Sequence, residues 1–226
     1  MTWSDLLFAH WPVEPDKIAS LLPAGVTLDT RGGKAWVGIV PFTMSNVRPR
    51  LLPPIRGLSR FLELNVRTYV SVHGKPGVWF FSLDAASPIA VRAARATFNL
   101  PYMDAKMAIT LGEDDTVEYS SHRTHRGEPA ARLDASYVAT GEFAQAQPDS
   151  LEHWLTARYC LYSVNRRGMI GRGEIDHPPW VLAPASYTER TNTMCRPLGL
   201  TLPDAPHLLV AKPVDVQAWP VRKCRD

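Results

Sequence analysis

Between residues 61 and 72 the sequence reads FLELNVRTYVSV. Leu62, Leu64, Val66, Thr68, Val70 and Val72 fall on one parity, and Phe61, Glu63, Asn65, Arg67, Tyr69 and Ser71 on the other. This is the two-residue period of a β-strand, and its apolar face must be buried. The other face carries a carboxylate, an amide and a guanidinium spaced about 7 Å apart. Two homes are open to that row. On the solvated side of a sheet it is inert. Inside a closed barrel it lines a binding site. There Arg67 would hold an anionic or carbonyl oxygen, with Asn65 as a further ligand contact. A desolvated Glu63 would have a raised pKa and serve as acid or base. Tyr102 and His10 are further candidates for the wall of such a pocket.

Other reactive residue types are set in less telling patterns. Lys106, buried, could form a Schiff base with a ketone; paired at the surface with Asp104, it would be inert. His122 and His125 have an HxxH spacing, but their flanks read as strand and turn, where residues three apart point to opposite faces. His177 stands beside Asp176 in the rigid run DHPPW, where it could be a general base or part of a structural loop. No GxSxG elbow, HExxH or glycine-rich phosphate loop occurs. The three cysteines, Cys160, Cys195 and Cys224, are far apart, which speaks against a disulfide framework or a zinc site. No metal or cofactor is expected.

The elements that must position these groups are short. Twenty prolines and 14 glycines punctuate the chain, a pattern of β structure with frequent turns. Strands are predicted over residues 35–42, 77–83, 107–111, 117–121 and 131–137. A hairpin turn is predicted at Asn165–Gly168, and a late strand pair or interrupted strand over 208–221. Helices are predicted over 15–22, over 87–98 with Ser87 as N-cap, and over 151–159 behind Asp149. In the second, Ile89, Val91 and Ala94 would face the core and Arg92 and Arg95 the solvent.

Composition narrows the partners rather than the reaction. The chain has 226 residues, 45% of them apolar, and a net charge of +3. That is one globular domain, over 1–226, with too little excess charge to imply nucleic acid or an anionic membrane. Arginine outnumbers lysine 19 to 6, so amines for covalent catalysis are scarce. No run approaches the roughly 18 apolar residues of a membrane helix. The start of the chain does not read as a signal peptide, so a cytoplasmic setting is expected. Scattered tryptophans and edge strands permit a homo-oligomer.

Several long segments together resemble a known family. They are Phe8-Ala9-His10-Trp11-Pro12-Val13, Ala35-Trp36-Val37-Gly38 with Val40-Pro41-Phe42, the Glu63 to Val70 run, and GKPGVWFFSLDA from Gly74. Leu100-Pro101-Tyr102 with Ala105 and Met107, SLEHWLT from Ser150, Arg158 to Tyr162 and His177-Pro178-Pro179-Trp180 complete the set. The chain resembles the YqjF-like family, a domain of unknown function in the acetoacetate-decarboxylase-like superfamily. The resemblance implies a mainly β (α+β) fold. It would be a closed, mainly antiparallel β-barrel or cone with a central cavity and about three peripheral helices. In such a barrel the polar row of Glu63, Asn65 and Arg67 is expected to face the cavity. The decarboxylases carry a lysine pair after a Gly-Phe-Pro motif. Here the matching Leu100-Pro101 is followed by Tyr102 and Met103, and Lys106 is out of register, which argues against Schiff-base decarboxylation. They also keep a glutamate at the strand position of Glu63, implying a pocket group there. The expectation is a small-molecule cavity with lyase- or isomerase-like acid/base chemistry on a carbonyl or carboxylate ligand. A non-enzymatic binding or sensor barrel is the alternative, and a Lys106 Schiff-base enzyme a third.

Overall fold

The structure, a computed structural model, describes residues 1–48, 59–203 and 205–224. Nine strands close into a barrel. In order around it they are Leu6–Val13, Ala35–Ser45, Phe61–Val72, Lys75–Ala85, Tyr102–Leu111, Val117–Arg123, Arg132–Ala139, Val181–Asn192 and His207–Ala211. The last pairs back onto the first through Leu209 opposite Phe8, which closes the ring. Neighbours are antiparallel except Lys75–Ala85 and Tyr102–Leu111, which run parallel and are joined by the helix Pro88–Phe98. A parallel pair needs such a crossover.

One apolar cluster draws side chains from all nine strands and is therefore the barrel's inside. It includes Trp11, Ile39, Leu64, Val66, Tyr119 and Tyr137. Ile18, on the short helix Pro15–Ala19, packs into the same cluster. Tyr119 and Tyr137 bury their rings there and donate their hydroxyls to the carbonyls of Glu63 and Asp5. An interior filled with aromatic and branched side chains is a packed core, and each such side chain contributes about 1.5–3 kcal/mol.

Leu64 and Val66 thus claim the inside of the barrel. The alternation that puts them there turns Glu63, Asn65 and Arg67 outward, against the expectation that the row lines the barrel cavity. Outward is not exposed here, since every residue from Glu63 to Val70 is buried. A second layer covers this face. It consists of the hairpin Cys160–Val164 and Ile170–Asp176, the helix Leu151–Thr156, and the Pro-Pro run up to Trp180.

Local signals account for most of these elements. Ser87 caps the crossover helix by accepting from the Ala90 amide, and Asn99 ends it in the left-handed region at φ 51°. Val91 is its buried residue, whereas Ile89 is 60% exposed instead of facing the core. The helix predicted behind Asp149 is capped one residue later, by Ser150, and stops at Thr156. The predicted hairpin forms at Asn165, whose side chain accepts from the amides of Arg167 and Met169.

Candidate functional site

The polar row does not act as a unit. At one end, Glu63 is buried, and Tyr102 donates its hydroxyl to Oε2 at 3.0 Å. Burial pushes the Glu63 carboxyl up to about 8, against the opposing pull of the Tyr102 bond. Glu63 is therefore mostly a neutral acid at pH 7. Arg67 is four residues further, about 13 Å along an extended strand. Between them the buried Asn65 leaves its Oδ1 without a hydrogen-bond partner.

The groups around Arg67 converge from separate elements. Strand pairing puts His207, His10, Gly38 and Arg67 side by side across four strands. A Cβ on Gly38 would lie 3.0 Å from the His10 ring and 3.3 Å from Arg67 Cγ, so glycine gives the two side chains room to lie over it. Both then reach one hydroxyl. Tyr69 Oη is 2.5 Å from His10 Nε2 and accepts from Arg67 Nη2 at 3.3 Å. Burial holds the His10 pKa well below its usual value, and Arg67 pushes the same way, so the imidazole is neutral. Burial also raises the Tyr69 phenol.

Arg67 itself is poorly satisfied. It is 9% exposed, and its bonds to Tyr69 and to the Leu155 carbonyl, at 3.3 and 3.4 Å, are long. Its Nε has no hydrogen-bond partner, and neither does His10 Nδ1. Among the described residues no carboxylate pairs with it. Arg67 lies 5.2 Å from the Phe8 ring and 5.7 Å from that of Tyr69, a cation held mainly by aromatic faces. A second guanidinium, Arg158, stacks on Tyr69 and Trp154 at 5.0 and 4.4 Å, but it is offset by Asp29 at 2.7 Å. The site thus carries one buried positive charge in excess, with donors and acceptors left open around it.

The DHPPW run closes over this cluster. His177 is buried, and its Nδ1 donates to the Pro178 carbonyl at 2.8 Å. Burial lowers its pKa, and Arg67 adds to that effect. Its ring packs between Tyr159 and Trp180, and Trp180 meets Phe8 edge-on at 5.2 Å.

Of the residues singled out in the sequence, His10, Asn65 and Arg67 share this face, while Tyr102 belongs with Glu63. Lys106 does not join either group. It is exposed on the outside of its strand, opposite His122, because Met107 and Ile109 take the inward positions. A Schiff base there would form in open solvent, so the Lys106 reading is dropped. Asp104, its expected partner, bonds Arg92 and His125 instead. Sequence reasoning gave no role to Tyr69 or Arg158, and it read His177 chiefly as a loop residue. Two pockets among the described residues, of about 820 and 570 Å³, are lined by neither Glu63 nor Arg67.

Comparison with known proteins adds a frame. The model of the DUF2071 family, described as an uncharacterized conserved protein, matches residues 1–215. The chain is 43% identical over 223 residues to the uncharacterized protein YqjF of Bacillus subtilis (strain 168), covering 98% of this chain and 90% of that one. Among solved structures it is similar to the enduracididine biosynthesis enzyme MppR in complex with pyruvate. That match has a TM-score of 0.67 at 14% identity, covering 98% and 88% of the two chains. An acetoacetate decarboxylase from Legionella pneumophila gives 0.65 at 12% identity, covering 100% and 85%. These likenesses show a shared acetoacetate-decarboxylase-like fold.

Proposed function

For a chain that belongs to the DUF2071 family of uncharacterized conserved proteins, we propose a small-molecule site that takes the carboxylate of an anionic ligand at Arg67. The observation that carries this reading is the buried guanidinium with no carboxylate partner among the described residues and an open Nε. A buried charge is costly unless it is paired. A ligand carboxylate supplies the missing charge and can accept from Nε and a terminal nitrogen together. His10 Nδ1 and Asn65 Oδ1 are open to the rest of such a ligand.

The same arrangement is suited to moving a proton. The Tyr69 hydroxyl, held by Arg67 on one side and the neutral His10 on the other, is placed to give or take a proton at a carbonyl oxygen next to the carboxylate. No lysine belongs to this cluster, so the chemistry is acid/base rather than imine formation. Glu63 and Tyr102, at the far end of the row, hold a separate proton.

Pyruvate, the ligand named for the similar MppR complex, is the probe. Titrated into the protein it gives one saturable site, and Arg67→Met weakens it about 100-fold, the loss of roughly 2–3 kcal/mol expected for charge-assisted hydrogen bonds. Deuterium incorporation at the pyruvate methyl group, followed by NMR, reports the proton step, and Tyr69→Phe abolishes it while pyruvate still binds. No saturable binding of pyruvate or another small carboxylate to the wild type would remove the proposal.

A further inference from the structure

A second site lies on the other flank of the strand Lys75–Ala85, where the sheet forks. One edge of this strand is paired throughout with Phe61–Val72. Its other edge changes partner. At Val78 and Trp79 it runs parallel to Cys160–Val164, and from Leu83 to Ala85 parallel to Tyr102–Leu111. Phe80, Phe81 and Ser82, between the two, have no strand beside them on that edge among the described residues. The ladder on the opposite side also slips here. Val66 faces Ser82 and Arg67 faces Phe80, which leaves Phe81 as the extra residue of a bulge. Two strands that diverge from a third leave a crevice, the same topological reason that ligands collect at switch points of open sheets.

The crevice is a groove of about 820 Å³. Trp79, Phe80, Phe81, Leu100 and Tyr162 give it an aromatic and apolar floor. Three arginines stand around it, and no acidic residue lines it. Arg92 is neutralised by two bonds to Asp104, at 3.0 and 2.7 Å. Arg95 bonds only the Tyr102 carbonyl and the Met103 sulfur, and Arg166, at the exposed hairpin turn across the groove, makes no side-chain bond among the described residues. Arg95 and Arg166, neither paired with a carboxylate among the described residues, thus both line an apolar trough.

We infer that this groove binds an amphiphilic anion, with its apolar body on the aromatic floor and its carboxylate or phosphate head between Arg95 and Arg166. The volume lies within the range of small-molecule pockets, roughly 300–1,000 Å³. Charge complementarity selects the head, since guanidinium forks favour carboxylate and phosphate alike. The inference stands on the fork and the groove, independently of the reading at Arg67.

An NMR titration of the full chain with decanoate, decyl phosphate and decanol tests it, with the Trp79 indole as reporter and pyruvate as control. At least one of the two anions saturates the Trp79 shift, and the tighter one names the head group. Decanol binds at least about tenfold more weakly. Arg166→Gln, which disturbs no bond, weakens the anion at least about tenfold while leaving pyruvate binding and thermal midpoint unchanged, and the double variant Arg95→Gln/Arg166→Gln weakens it further while pyruvate still binds. The inference is overturned if neither anion saturates the Trp79 shift, if decanol binds as well as they do, or if Arg166→Gln changes nothing.

Discussion

Tyr69 and His10 are 59 residues apart in the chain, yet the phenol oxygen lies 2.5 Å from the imidazole Nε2, with both groups fully buried. The contact is short, and Arg67 donates to the same oxygen. Removing the hydroxyl strands His10 Nε2 in a dry site and leaves Arg67 with one long bond to Leu155. Tyr69→Phe is therefore expected to lower stability by about 1–3 kcal/mol, the desolvation cost of an unpaired buried group. Denaturant titration measures it, and ¹⁵N shifts of the His10 ring report whether its tautomer is released.

Gly38 makes that contact possible. Alanine is ordinarily better tolerated than glycine in a strand, so a small side chain there could be expected to stabilise. The structure predicts the opposite sign, because the new Cβ meets the His10 ring at 3.0 Å and Arg67 Cγ at 3.3 Å. Gly38→Ala should cost about 1–3 kcal/mol by overpacking and weaken carboxylate binding, since both side chains must shift. A calorimetric unfolding scan together with a pyruvate titration checks both halves.

Glu63 gives the protein a pH signature. Its carboxyl goes from an unfolded value near 4.5 to about 8 in the folded state. The folded chain therefore holds this proton more tightly. The stability Glu63 contributes is complete below pH 4.5 and is lost as pH rises to about 8. His10 has the opposite sign, because its lowered pKa costs stability as pH falls through and below 6.5. Glu63→Gln keeps the size and the bond to Tyr102 but cannot ionise. Urea midpoints measured between pH 6.5 and 8, above the range in which His10 acts, should fall with rising pH in the wild type and stay nearly flat in the variant. Equal slopes would show that Glu63 is not the group responsible.

Inside the barrel, a buried ion pair joins Arg123 to Asp84, with Ser82 accepting from the same guanidinium. Asp84→Asn leaves a buried cation without its counter-charge, and a loss of about 3–5 kcal/mol is expected. If the variant still folds, it should bind pyruvate as the wild type does, because Asp84 faces the core and Arg67 the outer layer. Equilibrium unfolding and calorimetry measure the two quantities separately.

Much of this was legible in the sequence, and the exceptions have physical causes. The alternation over residues 61–72 marks a strand with two unlike faces, and Ser87-Pro88 marks the crossover helix. Neither tells which face looks into the barrel. That depends on how nine strands share one interior, and Leu64 and Val66 win it because Tyr119, Tyr137 and Ile39 also bury themselves there. The covered outer face depends on residues 151–180 folding back over the strand, a long-range event with no local signal. Tyr69 stood in the polar row as an ordinary strand aromatic. Its role follows only from the register that brings His10, Gly38 and Arg67 into line, and register belongs to pairs of strands rather than to either one.

The central claim is that Arg67 is a buried charge waiting for its counter-ion. Thermal unfolding of the wild type and Arg67→Met, each with and without millimolar pyruvate, tests it most directly. The account predicts that pyruvate raises the wild-type midpoint, as any ligand of the folded state must. It predicts also that Arg67→Met is at least as stable as the unliganded wild type, since an unpaired buried cation is replaced by an apolar side chain, and that it does not respond to pyruvate. A wild-type midpoint indifferent to pyruvate and other small carboxylates, together with a variant several kcal/mol less stable, would make Arg67 a structural residue and contradict the account.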